Sequence, residues 1–251
     1  MITAELGPTA WGVFTTRAGG VSQGRYASLN LGGRVGDEAA AVTRNHQLLA
    51  QRVGGPVSFA RQVHGKRVYR VPAPHQHGTD GHGTDSTDGP GGADRTDDTG
   101  DAVLTTERAH PVGVLVADCV PVLLAGPEGV VAVHAGRRGL LAGVVGAALA
   151  AMASDGRGAT HAAIGPAICG RCYEVPEQMR TEAARSHPAI WARTSWGTPA
   201  LDLPAAVAHE LTEAGIGHID RADTCTRTDD RFFSHRRDPV TGRFAGVVVR
   251  R

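Results

Sequence analysis

An α+β fold is predicted by three features of this 251-residue sequence. Apolar stretches of strand length come in pairs separated by short turns, as hairpins do. Helical stretches fall between groups of strands rather than alternating with single ones, which disfavours a doubly wound parallel sheet. No repeat or linker-like composition divides residues 1–251, so one domain is expected.

In chain order, residues 10–16 read as a strand ending at the turn Arg17-Ala18-Gly19-Gly20. Residues 38–53 read as a helix capped by Asp37 and stopped by Gly54-Gly55. Strands are expected over 57–63 and 66–71, on either side of Gly65. The stretch 72–100 has no apolar side chain larger than Ala or Pro. It cannot offset its ordering entropy by burial, so a mobile surface insertion is expected there. It carries His75, His77 and His82 among several Asp, which allows weak metal binding, but a solvated insertion is the preferred reading. The most apolar region follows: strands Val112–Val116, Val120–Ala125 and Val130–His134, with the turn Gly126-Pro127-Glu128-Gly129 between the last two. One helix is expected from Gly139 to Ala153, then a strand over Ala162–Gly165. A helix opens at Pro176, another is capped by Asp202 and ends at Gly215, and the last strand covers Phe244–Val249.

Composition excludes several classes. Hydrophobic residues are 41% and charged residues 20%, enough for a core without disulfides. The 26 Lys+Arg against 25 Asp+Glu give +1, so neither nucleic acid nor an anionic membrane is an expected partner. Lys66 is the only lysine. Aromatics at 4% argue against a base-stacking platform. The start MITAELGPTAW lacks the basic and apolar regions of a signal peptide, and no run of about 18 apolar residues exists. Four cysteines are too few for a disulfide framework, so a reducing cytoplasm is the expected setting.

Three segments place a metal-ligand type at the end of an apolar strand: Gln62-Val63-His64-Gly65, Ala117-Asp118-Cys119-Val120-Pro121 and Val133-His134-Ala135-Gly136. If Ala125 pairs with Val130 across the four-residue turn, His134 faces Pro121. Cys119 then lies two residues along on the same face, within about 7–8 Å. Cys119, His134 and His64 suit zinc with an open fourth position. A thiolate–imidazole nucleophile and base is the second reading. A buried free Cys beside a satisfied strand-end His is the third. Cys169-Gly170-Arg171-Cys172 is a lone CxxC with no second pair to complete a four-cysteine zinc site, and it reads as a thiol-rich loop. A multicopper site is poorly supplied: the one His-x-His pair, His75 and His77, lies in the insertion, and methionines are only Met1, Met152 and Met179.

Ordered motifs along nearly the whole chain resemble one family. They include Thr15-Thr16-Arg17 with Gly19-Gly20-Val21-Ser22, Ser28-Leu29-Asn30-Leu31-Gly32, Val35-Gly36-Asp37 and Gln62-Val63-His64-Gly65. Asp101-Ala102-Val103-Leu104-Thr105, Ala117-Asp118-Cys119, His134-Ala135-Gly136, Ile164-Gly165-Pro166, Tyr173-Glu174-Val175, Cys225-Thr226 and Phe232-Phe233-Ser234 continue the series. The sequence resembles the laccase-domain family of YfiH type, whose members are called polyphenol oxidase, peptidoglycan editing factor or purine nucleoside phosphorylase. The resemblance implies an α/β/β/α layered sandwich related to cysteine-hydrolase-like toxins. It also implies metal ligands at His64, Cys119 and His134.

The activity implied is zinc-dependent phosphorolysis of adenosine, inosine and methylthioadenosine, with adenosine deamination at the side and copper as an alternative metal. Catalytic roles fall on Cys119, His134 and Asp118. Substrate or phosphate contacts fall on Arg17, Asn30, Arg61, Asp101 and Arg138, since guanidinium groups hold phosphate oxygens bidentately. Expected partners are purine nucleosides and phosphate. The rival activity is a cytoplasmic hydrolase that edits peptidoglycan precursors with Cys119 as nucleophile, and a non-enzymatic scaffold ranks below it. Two departures stand out: Arg137 takes the place of a usual Trp after His134-Ala135-Gly136, and His235 that of a usual Tyr.

Overall fold

The structure, a computed structural model, describes residues 1–72, 98–154 and 158–251. Most of the 72–100 insertion, with His75, His77 and His82, lies outside the described residues.

The chain runs β1 (Ile2–Ala4), β2 (Ala10–Phe14), α1 (Ala39–Val53), β3 (Ser58–Phe59), β4 (Val68–Arg70), β5 (Ala102–Thr105), β6 (Val112–Val116), β7 (Val120–Ala125) and β8 (Val130–Ala135). It continues with α2 (Arg137–Leu141), α3 (Val144–Ala153), β9 (His161–Ile164), α4 (Glu177–Ser186), β10 (Trp191–Arg193), β11 (Pro199–Leu201), α5 (Leu203–Glu213), β12 (His218–Arg221) and β13 (Phe244–Arg250). The fold is mixed α and β. One sheet has the order β1-β2-β13-β6-β3, a second has β12-β9-β7-β8-β5-β4, and β10 and β11 form a small ribbon.

Side-chain alternation explains how the two large sheets are used. In β7 and β8, Val120, Val122, Leu124, Val131, Val133 and Ala135 face α3 and α5. Their neighbours Leu123, Ala125, Val130 and Ala132 face Phe14, Val112, Val114 and Val248 of the other sheet. α1 covers that sheet's far side through Leu49 and Val53, packed with Val13, Ala245 and Val247. Both faces of the central hairpin are therefore apolar, and every residue of β7 and β8 is buried. Truncating Leu123 to Ala in such a setting costs about 2–5 kcal/mol.

Several expected elements differ in detail. The β7–β8 register pairs Ala125 with Val130 and Pro121 with His134, as the turn spacing requires. The helix expected from Gly139 to Ala153 starts two residues earlier and is split, because Gly143 adopts φ +87 and closes α2 before α3 begins. Asp37 does not cap α1. The cap position is Glu38, and the Asp37 carboxylate instead accepts from Ser22 Oγ (2.6 Å) and Asn30 Nδ2 (2.9 Å). Pro176 stands just before α4 rather than inside it. Asp202 does cap α5, accepting from the Ala205 N–H. The strand expected over 57–63 shrinks to Ser58–Phe59. Beyond it the Gln62 side-chain amide takes over the ladder, donating to Leu115 O and accepting from Leu115 N–H at 2.8 Å each. The backbone is thereby released to turn at His64.

Candidate metal centre

His64, Cys119 and His134 converge at one end of the central sheet. One ligand atom from each lies within 4.8 Å of the others. Cys119 Sγ is 3.9 Å from His64 Nε2, and the two imidazoles meet edge to face with centroids 4.7 Å apart. Donor atoms sharing one tetrahedral zinc stand about 3.5 Å apart, from Zn–N near 2.05 Å and Zn–S near 2.3 Å. Two imidazoles and a thiolate are a donor set that zinc or copper accepts, so residues and spacing fit a metal.

Each ligand is placed by a separate local device. His134, the last residue but one of β8, lies on the face opposite α3 and is 3% exposed. Cys119 sits in the turn entering β7, after Asp118 at φ +89, and packs against Val116, Phe232, Phe233 and Phe244. His64 lies in a loop at φ +61, a strained value for a residue with a Cβ. That loop is wrapped around Asp101, which is wholly buried. Asp101 Oδ2 accepts from the Val63 N–H (3.2 Å) and the Gly65 N–H (2.7 Å). Its Oδ1 accepts from the His64 N–H (2.9 Å) and from His134 Nδ1 (2.8 Å). The proton of His134 is thus fixed on Nδ1, leaving Nε2 as a ligand nitrogen. One carboxylate orients two of the three ligands.

Gly136 is required by the same packing. A Cβ there would meet His64 Cδ2 at 2.8 Å and Cys119 Sγ at 2.9 Å. A Cβ on Gly139 would meet the Gly65 carbonyl at 2.8 Å. The glycines of His134-Ala135-Gly136-Arg137-Arg138-Gly139 therefore let α2 lie directly on the His64 loop.

The electrostatics follow from this packing. Burial pushes the Cys119 thiol up, but His134 and His64 outweigh it by charge and hydrogen bonding and bring it down to about 6. Burial pushes His134 down, and the Cys119 charge with the Asp101 hydrogen bond raises it to about 9. Without metal the pair is held as thiolate and imidazolium. Burial also raises Asp101, yet the His134 contact and the Gly65 and Val63 N–H groups keep its carboxyl below the ordinary range.

The remaining residues singled out from sequence are tied as follows. Asp118 accepts from Thr226 Oγ1 and from the Arg236 N–H, both at 2.6 Å, and so fastens the Cys119 turn to the C-terminal loop. Arg17 donates through Nε to Ala27 O at 2.7 Å and lies 4.9 Å from the Phe233 ring centroid. Asn30 is buried and accepts through Oδ1 from the Gly32 and Arg243 N–H groups. Arg61 donates to Thr99 Oγ1. Arg138 is exposed in the first turn of α2.

Sequence reasoning missed three side chains around Cys119. Arg243 is half-buried and feels the charges of Cys119 and Asp118, although burial itself lowers its pKa. Tyr173 is raised by burial, contacts Arg137, and has the Arg236 guanidinium 4.9 Å from its ring centroid. The signal for Arg236 and Arg243 was the four arginines of residues 231–243, and Tyr173 lies outside that stretch.

Comparison with known proteins gives the same placement. The family model described as multi-copper polyphenol oxidoreductase laccase matches residues 12–251. The chain belongs to this family. It is 48% identical over 242 residues to a purine nucleoside phosphorylase of Streptomyces coelicolor, covering 94% of this chain and 93% of the relative. It is 46% identical over 253 residues to a purine nucleoside phosphorylase of Streptomyces griseus, covering 98% and 96%. The crystal structure of Neisseria meningitidis protein NMB0706 superposes with a TM-score of 0.81 at 32% identity, over 99% of this chain and 98% of that one. YlmD from Geobacillus stearothermophilus superposes with a TM-score of 0.80 at 32% identity, over 97% and 92%. No described helix is long and apolar enough to cross a membrane.

Proposed function

We propose that this chain is a zinc-dependent purine nucleoside phosphorylase acting on adenosine, inosine and methylthioadenosine, with adenosine deamination as a second outcome at the same site. The observation that carries the reading is the His64–Cys119–His134 cluster with Asp101 behind it, in a chain whose relatives at 41–48% identity are named purine nucleoside phosphorylase. Zinc is preferred over copper because a copper centre of two imidazoles and one thiolate calls for a weak axial Met, whereas Met152 and Met179 pack with the helical core and Met1 is exposed. Bound there, zinc supplies Lewis acidity to the nucleoside or to water.

The chain's own residues supply the rest. Asp101 holds His134 in one tautomer and the His64 loop in one conformation, which makes it a positioning residue rather than a substrate contact. Asp118 has its carboxylate bonded to Thr226 and Arg236, and it positions Cys119 in the same sense. Phosphorolysis must hold an inorganic anion near the anomeric carbon while the sugar develops oxocarbenium character. Arg138, exposed on α2, and Arg243, beside Cys119, are the guanidinium groups assigned to that anion. Arg17 and Arg61 join them only by giving up their present partners, and Arg243 already holds the Thr241 and Gly242 carbonyls through Nη1. Arg137, where the family usually has Trp, borders Tyr173 and sets which substituents the pocket accepts. The same reading takes the fold as the α/β/β/α layered class related to cysteine-hydrolase-like toxins, supported by the order of the buried clusters from α1 to α3.

One observation favours a second reading. The depressed Cys119 thiol beside an imidazolium is what a Cys–His hydrolase of peptidoglycan precursors needs. A chelator separates the two. The phosphorylase activity disappears with the metal and returns with added zinc, whereas a metal-free dyad keeps its amidase activity in chelator.

A further inference from the structure

Behind the first site lies a second group of soft ligands. Cys169, Cys172 and Cys225 bring their Sγ atoms within 4.8 Å of one another, and all three are free thiols. Cys172 is buried and the other two are half-buried. The CxxC turn is closed by the Cys172 and Tyr173 N–H groups, which donate to Cys169 O at 2.9 and 3.0 Å. Gly170 in that turn lies against Asp202, where a Cβ would come to 2.7 Å of the Asp202 Cβ. The third thiol arrives from a distant segment. Ala167 and Cys225 form a parallel bridge, with Thr226 N–H donating to Ala167 O at 3.0 Å.

We propose that Cys169, Cys172 and Cys225 form a second metal site, which binds zinc through three thiolates and clips the 167–173 loop to the 224–228 loop. Thiolates sharing a tetrahedral zinc stand about 3.8 Å apart, from a Zn–S bond near 2.3 Å, so closing the present triangle takes an ångström or less. An independent observation marks Cys225 for anionic sulfur, whereas burial and the neighbouring Cys225 push the Cys169 and Cys172 thiols up. The Cys169 N–H donates to Cys225 Sγ at 3.4 Å. Backbone donors aimed at sulfur stabilise the thiolate and not the thiol. The Arg227 guanidinium, donating to Cys172 O at 3.2 Å, supplies positive charge beside the group. On binding, the thiols give their protons to solvent and three thiolates leave one coordination position for water.

The position explains what such a clip does. The Ile168 N–H donates to Asp118 O at 3.0 Å, and Thr226 Oγ1 donates to the Asp118 carboxylate. Two of the three contacts of the residue preceding Cys119 therefore come from the two loops that the ion joins, and the third is the Arg236 N–H. The second site is a structural support for the turn that carries the first.

The test is metal content of the untagged full-length chain, purified under reductant and measured for zinc and copper by plasma mass spectrometry. We expect two zinc per chain in the parent, one in Cys119→Ala, one in Cys172→Ser and none in the double variant. Should Cys172→Ser fail to fold, the zinc retained by Cys119→Ala is read by X-ray absorption. A shell of three sulfurs supports the proposal, and one dominated by nitrogen overturns it. A parent with one zinc, all of it lost in Cys119→Ala, overturns it as well. So do copper in place of zinc, or an intact mass showing two of the three thiols joined as a disulfide. Because each variant addresses one cluster, failure of the nucleoside reading and failure of this one give different metal counts.

Discussion

Replacing Asp101 by Asn tests how much of the site hangs on a single carboxylate. Four donors converge on it: the Val63, His64 and Gly65 N–H groups and His134 Nδ1. Asparagine keeps one acceptor oxygen and turns the other into an NH2 group. If its oxygen stays on His134, the Val63 and Gly65 N–H groups face another donor. If the amide is flipped, the His64 N–H and the protonated His134 Nδ1 both face the new NH2 group. Either way two donors lose their acceptor. An unpaired buried donor costs about 1–3 kcal/mol, and the loop is partly exposed, so the low end applies and about 2–3 kcal/mol is expected in total. The assay is urea unfolding with an unchanged slope, compared between parent and Asp101→Asn. The pH dependence has a definite sign. The Asp101 carboxyl is depressed in the folded protein from an ordinary 3.8, so its contribution is full above that value and lost as pH falls through the folded one. The difference between the two proteins should hold at neutral pH and shrink below about pH 4. A loss under about 0.5 kcal/mol at pH 7, the size of an ordinary surface change, would refute the clasp.

Three further outcomes are expected. In metal-free protein, alkylation of Cys119 by iodoacetamide should run at its full rate at neutral pH and decline as pH falls through about 6. In His134→Ala the midpoint should climb toward the ordinary thiol value of 9.0, and an unmoved midpoint would contradict the thiolate–imidazolium pair. Replacing residues 75–98 with a short Gly-Ser bridge should leave the melting temperature within a few degrees, since that stretch has no large apolar side chain to lose. A collapse in stability would mean that the insertion packs on the body. Arg138→Ala should lower phosphorolysis about tenfold or more while sparing deamination, because only phosphorolysis binds an inorganic anion. Equal losses in both would remove Arg138 from the phosphate site.

The central hairpin was legible in the sequence because its geometry is local. A four-residue turn between two apolar runs fixes the register, and the register puts Cys119 and His134 on one face. His64 was harder, because its placement depends on two distant partners. Gln62 must replace backbone pairing at Leu115, and Asp101 must gather the loop from 37 residues away. The resemblance places Asp101 among the substrate contacts, and the strand that follows it, Ala102–Thr105, is too short for a hydrophobic pattern to mark. The split at Gly143 was lost for a similar reason. An isolated glycine in an apolar helical stretch looks tolerable, and only the left-handed conformation forced by packing reveals the break. The three-thiol cluster was half visible: the CxxC turn is local, but Cys225 joins it through a hydrogen bond spanning 56 residues.

The account's central claim is that the His64–Cys119–His134 centre transfers the ribosyl group of a purine nucleoside to phosphate. The most direct measurement is product analysis of the zinc-loaded protein with adenosine at increasing phosphate concentration. The account predicts adenine and ribose 1-phosphate in equal amounts, a rate that rises with phosphate and saturates, and loss of the reaction in His134→Ala. A zinc-loaded protein that leaves every purine nucleoside intact at all phosphate concentrations, yet cleaves an amide of a cell-wall precursor, would contradict it.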